Sequence, residues 1–421
     1  MKKTIILILT IMMVLSTAVQ ANNLSAVTAN SYFLAELNED NILTEQGCSI
    51  SIAPNEFSKL MTALICMQKF YPGDWLTFKQ EPLVFHNEYG NIASYKTGTR
   101  VKVRHHLRNM LLLYSDASAT ELAIAYSGNI KSFTEEMNKK AKELGMNDTV
   151  FASPCGYDQT GISKTTVNDL YILAKAVSQN KDIMEVLAMD QFELMFEDET
   201  TKIFSSRNHL ISKYTYSDYT YSSANGMMVS RTGNTESIIA TAEKNGSSLI
   251  AIVVNSPDDF SIYKDAINLF EHGFKNYYPR KICAEGDIIE QISVPNGKTS
   301  SVHLVTDRDV QALLPLGYTK DKITTKATAP KELDAPLTKG QKIGTVDYLY
   351  DGKKVATVAL VAENDVKDSP IAYLYNQILS KVNVLLIIAV ILFIIFVIHH
   401  RKKAMKKKRE KRARFEELKK M

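Results

Sequence analysis

Pro54-Asn55-Glu56-Phe57-Ser58-Lys59-Leu60-Met61-Thr62 reads as the first turns of a buried helix. Pro54 or Asn55 suits a helix start, and apolar Phe57, Leu60, Met61, Leu64 and Ile65 recur at three- and four-residue steps. One lysine, Lys59, stands inside that run. A lysine among core residues is costly without a partner, so Lys59 either carries its ammonium to the surface along its own stem or serves a site. Glu56 precedes it by three residues, where helical side chains are neighbours. An ion pair between Glu56 and Lys59 is therefore expected, with the glutamate near a helix N-terminus.

The ends of the chain place this helix in a compartment. Met1-Lys2-Lys3, an apolar run from Ile5 to Leu15 and a close at Ala18-Val19-Gln20-Ala21 describe a secretory signal peptide over residues 1–21. Near the other end, Val382 to Ile398 is apolar except for Asn383, just long enough to span a bilayer. Residues 401–421 follow with 12 Lys or Arg against 3 Glu, and excess basic charge beside a span marks the cytoplasmic side. The expected topology is a single-pass protein of the cell membrane, its N-terminal domains extracellular and its tail cytoplasmic.

Charge agrees with that division. The chain holds 50 basic and 46 acidic residues; without the tail and the signal peptide, 36 basic and 43 acidic remain. The exported part is mildly acidic, which argues against nucleic acid as a partner. Four cysteines (Cys48, Cys66, Cys155, Cys283) are too few and too scattered for a disulfide scaffold. Neither a C-x-x-C nor a His-x-x-x-His spacing occurs, so no metal and no cofactor is expected.

Between the ends, Ser31 to Ala35 and Cys48 to Ile52 read as two strands around the polar Asn38-Glu39-Asp40-Asn41. Trp75 to Val101 is polar and irregular, and Val103 to Tyr114 follows. Ser132 to Leu144 reads as a helix with a capping box from Ser132 to Glu135, closed by Gly145. Ser237 to Glu243 and Leu249 to Val254 form a hairpin at Asn245-Gly246. Phe260 to Tyr277 is an amphipathic helix. Short strands then run through 288–294, 302–305, 341–350 and 354–361.

The opening stretch resembles the Pro-Ala-Ser-x-Thr-Lys-x-Met-Thr signature of the serine D-alanyl-D-alanine carboxypeptidases, the low-molecular-mass penicillin-binding proteins. In that family a serine and a lysine lie three apart on one helix face, and the lysine activates the serine for acylation. Matched residue by residue, Lys59 takes the lysine place and Glu56 stands where the nucleophile belongs. The family's second motif, Ser-Gly-Asn, falls on Tyr114-Ser115-Asp116. A shift of one residue would instead put Ser115 on the serine and Ala117 on the asparagine. The Asn-Pro-His-Gly segment falls on Ser153-Pro154-Cys155-Gly156, with Cys155 in the histidine place and read as structural. The Lys-Thr-Gly motif falls on Arg231-Thr232-Gly233, and Arg231 keeps a cation suited to a substrate carboxylate.

The resemblance covers residues 24 to about 366. It implies an α/β, beta-lactamase/transpeptidase-like domain over 22–278 and a small all-β domain over 279–366. A linker 367–381, a transmembrane helix 382–400 and a basic tail 401–421 follow from the residues themselves. Literal family strings elsewhere sit at non-catalytic places: Lys96-Thr97-Gly98, Ser127-Gly128-Asn129, Ser178 to Lys181 and Ser261 to Lys264. Ser58 is a poor stand-in for the nucleophile, because residues two apart on a helix point about 200° apart.

The expected function is a wall-facing pseudoenzyme that keeps a binding role toward a peptidoglycan stem peptide or cell-wall assembly proteins. The alternatives are an active serine-type carboxypeptidase that removes a terminal D-Ala, and an assembly protein that docks machinery on its tail.

Overall fold

The computed structural model describes residues 24, 27–79, 97–195, 201–213, 217–232, 235–256 and 260–418. The signal peptide expected over 1–21, Lys96 and Gly233 of the third motif lie outside the described residues. The chain divides into two compact units. The first is Met1–Ile282 with Gln311–Thr324 and Tyr348–Thr357; the second is Cys283–Val310, Thr325–Asp347 and Val358–Met421.

The first unit is built on a five-stranded sheet of order β2-β1-β9-β8-β7. Its strands are β1 (Ser31–Glu36), β2 (Ile42–Gln46), β7 (Ala224–Thr232), β8 (Thr235–Lys244) and β9 (Ser247–Ser256). Side chains alternate across it, as the period of a strand requires. Along β9, Ile250, Ile252 and Val254 join one apolar core, and Leu249, Ala251 and Val253 join another. The first core takes helices α1 (Ser58–Cys66), α2 (Val103–Leu112), α3 (Asp116–Ser127), α4 (Ile130–Leu144), α5 (Val167–Ser178) and α6 (Lys181–Leu187). The second takes α7 (Ser261–Asn276) through Ile262, Ala266, Leu269 and Phe270. Two small ribbons, β3 (Trp75–Thr77) with β4 (Arg100–Lys102) and β5 (Gln191–Met195) with β6 (Thr201–Ser205), complete the elements before α7.

The β8–β9 hairpin turns at Asn245 and Gly246, both at positive φ (54° and 76°), as the Asn-Gly pair requires. The partner of β1 is β2 at 42–46, not the expected strand at 48–52. Gly47 follows β2 at φ +64°, where an added Cβ would lie 2.6 Å from Ser31 Oγ. Of 48–52, Ile52 makes only an isolated bridge to Thr165, and Ile50 is exposed. The cap of α4 also comes earlier than expected: Asn129, not Ser132, is the capping residue and accepts the Ser132 amide at 2.8 Å. Ser127-Gly128-Asn129 is thus a joint between two helices, with Gly128 left-handed at the end of α3.

After α7 come β10 (Tyr277–Cys283) and β13 (Val310–Pro315), which pair with each other. The five-stranded sheet of order β11-β12-β16-β15-β14 comprises β11 (Ile288–Ser293), β12 (Ser301–Thr306), β14 (Ile323–Thr328), β15 (Lys342–Tyr350) and β16 (Lys353–Ala362). Val358, Leu360 and Ala362 are buried on alternate positions of β16.

The closing helix α8 (Pro370–Leu418) carries the chain through the apolar run into the basic tail. The side chains of 380–386 are outside the described residues, so the described part of the run begins at Ile387. Among the described residues no helix is long and apolar enough to cross a membrane. The transmembrane helix expected over 382–400 is thus not found among the described residues.

Candidate active site

A short 3-10 turn, Asn55–Phe57, leads into α1. Asn55 has φ +43°, and the backbone of Gly156 closes on it: a Cβ at Gly156 would lie 1.9 Å from the Asn55 carbonyl oxygen. Glycine is required there both for space and for its own φ of +91°. This contact sets the loop 153–156 against α1. Thr62 Oγ1 donates to the Pro154 carbonyl at 2.7 Å, and Lys59 Nζ donates to the Cys155 carbonyl at 2.6 Å.

Lys59 is buried with its stem in the core and does not reach the surface. Its ion-pair partner is Asp116, with Nζ 2.8 Å from Oδ1. Burial alone would pull the ammonium down, but the Asp116 carboxylate and its neighbours outweigh it and hold Lys59 above the ordinary lysine value. The expected Glu56–Lys59 pair does not form. Glu56 lies in the middle of a 3-10 turn rather than in a regular α-helical one, and its Oε2 instead accepts from Ser230 Oγ at 2.5 Å.

Asp116 reaches Lys59 because the chain turns sharply before α3. Tyr114 takes φ +59°, the Ser115 amide donates to the Asn109 carbonyl at 2.9 Å, and Ser115 Oγ caps α3 by accepting from the Ser118 amide. Ser115 is therefore a helix cap and Asp116 the inward group. Of the two residues that the open registers put in the asparagine place, Asp116 and Ala117, Asp116 is the one that meets Lys59. Tyr114 is buried, with the Arg207 guanidinium 4.6 Å from its ring centre. Burial pushes its phenol up to about 12, so it stays protonated near neutral pH.

On β7, Ser230 is the residue that meets Glu56. Met228 shares the core of α1, whereas Val229 belongs to the core of α7. Strand alternation then puts Arg231 on the face opposite Ser230, directly across from Glu236 of β8. The structure thus brings Glu56, Lys59, Tyr114 and Asp116 together with Ser230, while Arg231 is paired in register with Glu236. Thr232 ends β7, and its side chain lies outside the described residues.

Ser230, Arg207 and the Cys155 carbonyl are missed by the sequence reading. Alternation along β7 is a signal that could have found Ser230; the other two depend on loops whose course no local pattern reveals. The Cys155 thiol is buried, which pushes it up against the pull of Lys59. Since the thiolate is the nucleophilic form, Cys155 is a poor nucleophile.

Lys59 is thus bonded to a carboxylate and a backbone carbonyl rather than to a hydroxyl that it could deprotonate. The site holds one closed ion pair and, beside it, one glutamate bonded to a serine.

Comparison with known proteins agrees with the fold. The family profile described as D-alanyl-D-alanine carboxypeptidase matches residues 16–258, more than half of the chain, and that described as penicillin-binding protein 5, C-terminal domain, matches 277–368. D-alanyl-D-alanine carboxypeptidase DacF of Bacillus subtilis is 24% identical over 347 residues, covering 80% of this chain and 86% of the relative. DacA of Haemophilus influenzae is 25% identical over 363 residues, covering 82% and 87%. Among solved structures, penicillin binding protein 5 from Haemophilus influenzae superimposes with a TM-score of 0.64 at 24% identity, covering 82% of this chain and 98% of that one.

Proposed function

Since the chain belongs to the D-alanyl-D-alanine carboxypeptidase family, we propose that it works at the bacterial peptidoglycan without the family's acyl-transfer step. It is a pseudoenzyme whose cleft binds a stem peptide or a wall-assembly protein. The observation that carries this reading is the pairing at the old nucleophile: Glu56 is bonded to Ser230 while Asp116 holds Lys59 as a cation. A carboxylate at that position can form only a reactive anhydride, not a stable ester. A fluorescent β-lactam added to the purified protein tests it. No covalent labelling is expected, and rapid stoichiometric labelling would overturn the reading.

The same proposal includes export and anchoring. What supports it is the leader-like N-terminus, the apolar run 382–398 and the basic residues after it. Exposed Ile387, Ile391, Phe393 and Phe396 lie on all sides of α8, as on a helix meant for lipid. Protease added to wall-stripped cells should digest the N-terminal domains and spare the tail; digestion of the tail alone would refute this topology.

A further inference from the structure

The ribbon β3–β4 presents one face to solvent. Leu76 and Val101 point inward, Val101 being buried, while Trp75, Thr77 and Arg100 are exposed and Lys102 is half-buried. Trp75 pairs directly with Lys102, and Arg100 lies on the diagonal. The Lys102 ammonium is 4.9 Å from the Trp75 ring centre and the Arg100 guanidinium 5.3 Å. Yet Trp75 remains 52% exposed. Beside it Tyr71 is 76% exposed, and Arg104 is exposed with its Nε on the Pro72 carbonyl. Asp74 accepts from the Tyr71 amide within the turn. Among the described residues, Arg100, Lys102 and Arg104 make no ion pair with a carboxylate.

We propose that this face binds an anionic glycan. A sugar's C–H face can rest on the open part of the indole and on Tyr71, which carry partial negative charge on their ring faces. Arg100, Lys102 and Arg104 can pair with carboxylates or phosphates spaced along the chain. The three cations stand on an exported part that is net acidic, so the patch is a local exception that selects an anionic ligand. Strands of three residues span roughly 10 Å. That is too small for a stable protein interface, which needs on the order of 1,200 Å² or more, but it suits a narrow linear polymer. The proposal does not depend on whether the cleft is acylated.

Trp75 is the only tryptophan of the chain, so intrinsic emission reports on this face alone. The full chain in detergent is titrated with four probes: soluble peptidoglycan fragments bearing stem-peptide carboxylates, a glycerol-phosphate polymer, neutral chito-oligosaccharide and polyglutamate. Saturable, salt-sensitive changes in emission are expected with the peptidoglycan fragments, which carry both sugar rings and carboxylates; the glycerol-phosphate polymer, which has no sugar ring, should bind more weakly. Arg100→Gln with Lys102→Gln should weaken that binding roughly tenfold or more, at unchanged melting temperature. Arg100→Glu with Lys102→Glu should abolish it. No change with the peptidoglycan fragments, equal binding by the glycerol-phosphate polymer, polyglutamate or the neutral sugar, or full binding by the Gln variant would overturn the proposal.

Discussion

Lys59 Nζ lies 2.8 Å from Asp116 Oδ1, with 1% and 6% of the two side chains exposed. A further bond runs from Lys59 to the Cys155 carbonyl. The Asp116 carboxylate holds Lys59 in its charged form. Here the two side chains form a buried ion pair.

Removing one partner should therefore be costly. Asp116→Ala leaves a buried cation unpaired and should destabilise the protein by about 3–5 kcal/mol. Lys59→Met with Asp116→Leu should cost far less, or stabilise, because two desolvated charges are removed together. Urea melts of the three proteins check this. An Asp116→Ala protein as stable as its parent would contradict the pairing.

The same pair predicts a pH dependence. The Lys59 pKa is raised in the fold, so its contribution is fully present below the unfolded lysine value near ~10.4. As pH rises from there through the raised folded value, that contribution is lost. The charge-free double variant lacks it, so the stability difference should shift in favour of the double variant over this alkaline window. Melts from neutral pH to strongly alkaline pH measure it.

Much of this was legible in the sequence. The Asn245-Gly246 hairpin and α7 follow from turn chemistry and period, and Lys59 inside an apolar run announced a partner. The partner's identity was not legible, because Glu56 and Asp116 are both plausible until the turn at Tyr114 is known. The neighbour of the third motif was illegible for a related reason. Arg231-Thr232-Gly233 follows the family's letters closely, but no letter of the motif announces Ser230, the β7 residue that meets Glu56. The strand assigned to 48–52 failed because its alternation, with Ile50 exposed, marks no buried face.

Glu56 and Ser230 should be coupled. Their hydrogen bond is charge-assisted but only partly shielded, so each of Glu56→Ala and Ser230→Ala should cost about 1 kcal/mol. The double variant should cost less than the two together, since the bond can be lost only once. Additive costs in a double-mutant cycle would show that the two side chains act independently. Glu56→Ala should not release Lys59, whose partner is Asp116.

Gly156 tests the backbone that supports the site. Gly156→Ala places a Cβ 1.9 Å from the Asn55 carbonyl oxygen, at a φ that alanine rarely adopts. The loop must move, and the Cys155 carbonyl moves with it. A loss of a few kcal/mol is expected, among the larger values for a single substitution. A near-parental melting temperature would mean that the loop is not held against Asn55.

Reactivation is the strictest test. Glu56→Ser restores the Ser-x-x-Lys spacing, yet it should be acylated slowly by a β-lactam. Lys59 would still be held as a cation by Asp116, and the Tyr114 phenol, pushed up to about 12, would still fill the second motif. Adding Asp116→Asn removes the charge that raises Lys59 and frees it to accept a proton. Adding Tyr114→Ser opens the motif. A positioned general base is worth roughly 10²–10⁴ in rate, and the triple variant should gain on that order over Glu56→Ser alone. Stopped-flow acylation of the series, with melts to confirm folding, supplies the measurement. If Glu56→Ser alone reached the rate of the triple variant, neither Asp116 nor Tyr114 would limit acylation at this site.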